Sequence, residues 1–484
     1  MKKSLVLSLL FIFLSSFAFA GTVNLPKTGQ TKCWDTNGIE IPCTGTGQDG
    51  EIQGGVAWPE PRFTDNGDGT MTDNLTDLMW TKDGYLPGGP LTWFQALGYV
   101  AGMDAGTYAN FGYTDWRLPN VNELESLVNS NQAGNSAWLM TQGFTNVKTL
   151  YYWSSTSYAY YATGMAWIVG MWTGPVYAGS KYQGGYVWPV RSGQCGSFVD
   201  SVICLPQTGQ KVSYAPGDDG DLEKGVVWPT PRFADRGNDT VTDNLTGLIW
   251  TKDANAPGPG DCDPGTVKTW QQALDYVACL NNSSYLGYTD WRLPNRTELH
   301  SLTDYSQYNR ALPAGNPFTN LKAGNYWTST SNSYYTNSAW AVIMTVGYVY
   351  DYVKSSSSYY VWPVRGPEPT LNVDIDIRPG DFPNSINLKS KGNVPVAILS
   401  SPTFDAATVD RGTVEFAGAP ALPIGGSPED VNSDGLIDMV LHFKTQDFNL
   451  QPEDIEACLT GMTFSGQEFK GCDSVRITKQ ELYL

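Results

Sequence analysis

Apolar and polar positions fall into a pattern that changes three times along the chain. Arg62-Phe63-Thr64-Asp65 and Thr70-Met71-Thr72-Asp73 alternate on either side of Asn66-Gly67-Asp68-Gly69. Two alternating runs around a turn-rich centre predict a β-hairpin. Leu78-Met79-Trp80 continues it as a buried strand. Thr92-Trp93-Phe94-Gln95 and Asn120-Val121-Asn122-Glu123 carry a capping residue with Gln or Glu three positions on, so each predicts a helix start. Residues 151–191 are aromatic, β-prone and broken by turn residues. Two short helices followed by an antiparallel sheet predict an α+β unit. From Leu371 the pattern is one of short alternating strands, as in Val373-Asp374-Ile375-Asp376-Ile377, which predicts an all-β sandwich.

The first unit occurs twice. Residues 54–83 match 224–253 at 20 of 30 positions, and 112–127 match 287–302 at 13 of 16. YYWSSTS at 151–157 answers NYWTSTS at 325–331, VWPVR closes both copies, and LPKTGQ and LPQTGQ open them. A repeat of this length is a domain rather than a solenoid turn. The expected organisation is an export signal at 1–20, repeats at 21–200 and 201–366, a Pro367-Glu368-Pro369 linker, and the sandwich at 371–484.

The strings FTDNGDGTMTDNLTDLMW, TDWRLPN followed by Glu-Leu, YWSST and VWPVR together resemble the Lcl C-terminal domain family, also called DUF1566. The resemblance spans most of residues 54–366. It implies two compact lectin-like α+β domains, related to the C-type lectin and formylglycine-generating-enzyme folds. It further implies secreted or surface proteins, some of which bind glycosaminoglycans. The strings DIRPGDFPNSINLKSKGNVPVAIL and EDVNSDGLIDMVLHF resemble an accessory β-domain at the C-termini of secreted bacterial proteins.

Charge alters what the resemblance implies. The 484 residues carry 30 Lys and Arg against 48 Asp and Glu, a net charge of −18. Such a chain repels nucleic-acid phosphates and is a poor match for sulfated polysaccharides. Lys2 and Lys3, the apolar run 5–14 and Ala18-Phe19-Ala20 read as a cleaved secretory signal. No later run is apolar enough to cross a membrane as a helix, so the mature chain is expected to be exported, to the periplasm, cell surface or medium. Export makes the eight cysteines an oxidised set. Cys33 and Cys43 lie in a segment that the second repeat lacks, and Cys262 and Cys279 occur only in the second. Cysteines present and absent together pair, Cys195 and Cys204 flank the junction, and Cys458 and Cys472 lie in the tail, which predicts four local bridges, Cys33–Cys43, Cys195–Cys204, Cys262–Cys279 and Cys458–Cys472.

The clearest chemical motif is Asp430-x-Asn432-x-Asp434-Gly435-Leu436-x-Asp438. Oxygens at positions 1, 3, 5 and 9, with the Leu436 carbonyl at 7, suit a structural calcium ion, although Leu441 replaces the glutamate of an EF-hand. The competing reading is an Asx-rich turn. Asp65 to Gly69 could form a second cage, but Arg236 in the other copy points to a plain hairpin. Tyr158, Tyr160, Tyr161 and Tyr177, with Tyr334, Tyr335 and Tyr350, are candidate sugar-stacking residues, set against the ordinary preference of tyrosine for strands. Asp115-Trp116-Arg117 and its copy read as an ion pair and a Trp fixing the second helix. The chain has two histidines. His300 aligns with Glu125, so the copies share no histidine, and no nucleophile elbow is present. The expected function is therefore a non-enzymatic binding or adhesion protein that takes glycans or a surface partner. The alternative is an exported structural or assembly component.

Overall fold

The computed structural model describes residues 23–192, 203–366, 371–423, 427–464 and 467–478. The expected signal at 1–20 lies outside them. Local expectations hold closely. The first hairpin pairs Phe63–Asp65 with Thr70–Asp73, and its copy pairs Phe233–Asp235 with Thr240–Asp243. All four capping boxes form, at Thr92, Asn120, Thr269 and Asn295.

The α+β expectation is corrected. The protein is predominantly β, with 32% strand against 15% helix. The caps start helices where expected, but two of the four stop at once. Those behind Asn120 and Asn295 run five and six residues, Val121–Glu125 and Arg296–Ser301. Only Trp93–Asp104 and Trp270–Asn282 are long enough to present a whole apolar face, among the described residues. A capping box specifies a beginning and not a length.

The sheets do not respect the repeat boundary. Within each repeat, the hairpin strands form a four-stranded sheet closed by the VWPVR strand, Val190–Ser192 or Val364–Arg365. The C-terminal strands of both repeats merge into one eight-stranded sheet. Asn325–Ser331, Ser338–Ile343 and Tyr348–Val353 of repeat 2 run edge to edge into Val176–Ser180, Met165–Gly170 and Tyr151–Ser157 of repeat 1. The seam is antiparallel, with Val176 opposite Val349. These two valines occupy equivalent positions, so a local two-fold axis passes between them. A single apolar core runs through the seam and includes Tyr152, Trp167 and Val176 with Tyr326, Trp340 and Val349.

The segments that open the repeats are exchanged. Gln30 clamps the backbone of Ser331 in repeat 2, donating to its carbonyl at 2.8 Å and accepting from its N–H at 2.9 Å. Gln210 does the same to Ser157 in repeat 1, at 2.8 Å for both bonds. Asp49 accepts from Thr330 at 2.7 Å, and Asp219 from Thr156 at 2.7 Å. Each arm therefore seats in the other repeat, and the folded unit spans both. Residues 371–478 build a separate core around Ile377, Val396, Phe416, Leu441 and Leu459, between a five-stranded and a four-stranded sheet.

Cys33–Cys43, Cys262–Cys279 and Cys458–Cys472 are bonded. Cys195 lies outside the described residues, so its expected pairing with Cys204 is not described. Among the described residues no helix is long and apolar enough to cross a membrane.

Candidate functional site

The seam gathers tyrosines from both repeats. Strand alternation puts Val176 and Val349 into the core and turns Tyr177 and Tyr350 to the other face. Their rings lie 5.4 Å apart at 32°. The band continues from Tyr350 to Tyr348 at 6.2 Å, to Tyr158 at 5.6 Å and to Tyr160 at 6.2 Å, where Tyr308 closes on Tyr160 at 5.5 Å. Tyr160, Tyr161 and Tyr308 are 68%, 56% and 53% exposed. Burial pushes the Tyr350 hydroxyl up to about 12 and raises Tyr177, so both stay protonated donors near neutral pH. Tyr158 is a correction. It is 7% exposed and packs edge-on against Trp167, so it supports the band from within the core.

Tyr334 and Tyr335 sit apart from this band, on the turn at 332–337 that corresponds to the turn carrying Tyr160 and Tyr161. Both are exposed, with rings 4.7 Å apart. That turn touches the exchanged arm, where the Thr336 hydroxyl donates to the Gly38 carbonyl at 2.9 Å. Tyr308 has no counterpart in the aromatic pattern of repeat 1, and the sequence reading missed it.

Below the seam, aligned residues meet one another. Glu125 accepts from His300 Nδ1 at 2.6 Å and from Arg296 Nη2 at 2.9 Å. Burial alone would raise the Glu125 carboxyl, but the adjacent His300 and Arg296 outweigh it and hold it at about 2. His300 Nε2 faces the Gly347 carbonyl at 2.9 Å and the Tyr305 hydroxyl at 3.0 Å. The absence of a shared histidine was therefore misleading. The two copies differ at this position because the two residues pair with each other across the axis. Arg117 and Glu123 form a bidentate pair at 2.5 and 2.7 Å, while Asp115 reaches Arg191 of VWPVR at 2.5 Å. The expected ion pair at the second helix thus uses the capping glutamate, and Asp115 fastens the closing strand.

One serine stands near a base. Lys181 Nζ lies 2.6 Å from Ser157 Oγ, and burial lowers the lysine to about 8. Both residues are fully buried, and Trp93 covers the ammonium at 3.6 Å. The pair is a packing element beneath the arm, with no opening for a substrate.

The 430–438 loop has calcium-type donors but spends them on its own backbone. Asp430 accepts from the N–H groups of Asp434 and Gly435, and Asp434 from that of Leu436. Asp438 is buried and accepts from Ser400 and Val431. The carboxylates of Asp430, Asp434 and Asp438 do not gather within 4.8 Å of one another. The only such trio among the described residues is Glu456 with the disulfide-bonded Cys458 and Cys472. As placed, the loop is an Asx-turn array. Asp65 and Asp68 likewise bond to Lys82, Thr70 and Tyr113, which is the plain hairpin reading.

The family model for the Lcl C-terminal domain matches residues 69–191 and 239–365, just over half of the chain. No curated protein matches it. The matched segments begin after the exchanged arms and contain the seam tyrosines Tyr158, Tyr160, Tyr177, Tyr308, Tyr348 and Tyr350. With the recurring motifs each in its place in the fold, the chain belongs to the Lcl C-terminal domain family and carries that domain twice in tandem.

Proposed function

We propose that this is an exported, non-enzymatic binding protein that recognises glycans through the tyrosine band at the seam. The observation that carries the reading is the band itself. Tyr160 and Tyr308, from different repeats, form one exposed edge backed by half-buried tyrosines that keep their hydroxyls as donors. Aromatic faces stack on sugar rings, and the flanking hydroxyls bind sugar hydroxyls. The net charge of −18 favours neutral glycans and predicts binding that survives added salt. Export is supported by the signal pattern at 1–20 and by the disulfides. A structural calcium ion at the 430–438 loop belongs to the proposal on the strength of donor type and spacing alone.

The test is a panel of neutral and sulfated glycans against the mature protein at low and high salt, beside the Tyr160→Ala/Tyr308→Ala double variant. Binding to neutral glycans that is lost in the double variant supports the reading. Binding confined to sulfated glycans and lost in salt refutes the charge argument. No binding at all shifts the function to an exported structural or assembly component.

A further inference from the structure

The two repeats differ at one place where a ring is missing. In repeat 1, Trp58 stacks on Arg62, with the guanidinium carbon 4.1 Å from the ring centre. Trp138, from the helix Asn135–Thr141, covers this pair. Its ring lies 5.7 Å from Trp58, 6.0 Å from Phe63 and 5.8 Å from the guanidinium. Repeat 2 rebuilds the floor with Trp228, Arg232 and Phe233, and Arg232 stacks on Trp228 at 4.2 Å. The lid is absent. Between Asp304 and Phe318, residues 313–316 run as a Pro-Ala-Gly-Asn loop with no aromatic ring. A cavity of about 460 Å³ results, within the range of small-molecule sites, and its lining includes Trp228, Arg232, Phe233, Asp304, Lys211 and Asn316.

One polar group in the lining, the Asp304 carboxylate, is left with capacity to bind. Arg232 is 6% exposed, is fixed by Asp243 and by the Ser301 carbonyl, and serves as the floor on which Trp228 stacks. Asp304 is 6% exposed and takes both of its bonds, from the Ser306 N–H at 2.9 Å and hydroxyl at 2.6 Å, on Oδ1. Asn129 stands at the equivalent position in repeat 1. Repeat 2 has therefore lost a ring and gained a carboxylate at the same site. The floor is also pre-set. Trp228 Nε1 donates to the Gln207 carbonyl at 2.8 Å, and Gly209, at φ +87°, leaves room for Trp228 and Asp304 to approach.

Resting on the glycan reading above, we propose that this slot in repeat 2 binds a single neutral pyranose. The sugar takes the space that Trp138 fills in repeat 1, with its ring face on Trp228 and a hydroxyl donating to Asp304 Oδ2. A sugar hydroxyl donates, so it can answer the carboxylate oxygen that Ser306 leaves open.

The experiment uses the full mature chain and saturation-transfer NMR with calorimetric titration of methyl glycosides of neutral hexoses, with free indole as a second probe. Variants are Asp304→Asn and Ala314→Trp, which give repeat 2 the polar residue and the ring of repeat 1, with Tyr160→Ala/Tyr308→Ala as the comparison. Melting midpoints check folding, and Asp304→Asn decides the matter if Ala314→Trp does not fold. The expected result is glycoside binding weakened at least about tenfold by either slot variant, the loss of a hydrogen bond to a charged group. Binding of indole without any glycoside, or glycoside binding indifferent to both slot variants, overturns the proposal. Glycan-panel binding that depends only on the tyrosines overturns the slot and leaves the seam reading intact. No glycan binding of any kind overturns both.

Discussion

The exchanged arms are seated on buried carboxylates, and this gives the protein an unusual pH dependence. Asp219 is 2% exposed and accepts from Thr156 and Thr208, both at 2.7 Å. Burial raises its carboxyl from 3.8 to about 7, and Asp49 on the other arm from 3.8 to about 6. Between the unfolded and folded values the native state binds more protons than the unfolded chain, so stability falls as pH rises. At 1.36 kcal/mol per unit, Asp219 accounts for about 4 kcal/mol and Asp49 for about 3. The buried lysines beneath the arms act in the opposite sense at higher pH. Lys354, which donates to the Trp34 carbonyl of the exchanged arm, is lowered by burial from 10.5 to about 7, and Lys181 to about 8. There the unfolded chain binds more protons, so stability climbs again towards pH 10. Glu125, held at about 2, makes its full contribution above pH 4.5 and leaves the window undisturbed.

Stability should therefore pass through a minimum near pH 7. At about 2 °C per kcal/mol for a unit of this size, the melting midpoint should fall by about 10 °C between pH 4.5 and 7. The assay is circular dichroism melting of the wild type and of Asp49→Asn/Asp219→Asn from pH 4.5 to 9.5. Asparagine keeps the shape and cannot ionise, so the double variant should lose most of the fall below pH 7 and retain the rise above it. A wild-type midpoint that rises between pH 5 and 7, or a double variant with the wild-type slope, would refute the account of the arm seats.

Three further outcomes are expected. Cys262→Ser/Cys279→Ser opens a loop against the helix Trp270–Asn282 and should cost about 3 kcal/mol, seen as a lower midpoint without loss of the native spectrum. Residues 23–192 and 203–366, expressed apart, should each be unstable as monomers and should recover native melting when co-expressed as a one-to-one pair; two independently folded halves would show that the arms are dispensable. Millimolar calcium should raise the melting midpoint of the tail in the wild type and not in Asp434→Ala, whereas Asp438→Ala should destabilise it with or without calcium because Asp438 holds Ser400 and Val431.

Legibility in the sequence followed the range of the interactions involved. Turns, caps and local disulfides were readable because their partners lie within a few residues, as with Thr92 and Gln95 or Cys33 and Cys43. The balance of helix and strand was not. Nothing local in Asn120-Val121-Asn122-Glu123 says that the helix stops at Glu125 so that Val121 and Leu124 can pack under the sheet. The site was half legible. Tyr160, Tyr177 and Tyr350 were found by density, but their union with Tyr308 depends on the seam between Val176 and Val349, which no single repeat specifies.

The exchange of arms shows why a duplicated sequence hides its own connectivity. Thr28, Gln30 and Asp49 are repeated as Thr208, Gln210 and Asp219, and their receptors Thr156 and Ser157 as Thr330 and Ser331. Seat and plug have the same chemistry in both copies, so hydrogen bonding alone cannot say whether an arm closes on its own repeat or on the other. What separates the two outcomes is everything that is not duplicated. Glu125 against His300 is attractive only when the repeats meet, and two identical copies would place Glu against Glu or His against His. Gly38, on the Cys33–Cys43 loop, touches Thr336 of repeat 2. Some of the differences between the copies thus lie where the copies touch. Glu125→His should place two imidazoles across the axis and weaken the seam, and adding His300→Glu to it should restore the pair with its sense reversed. If the double variant melts no higher than Glu125→His, the axis is not held by this pair.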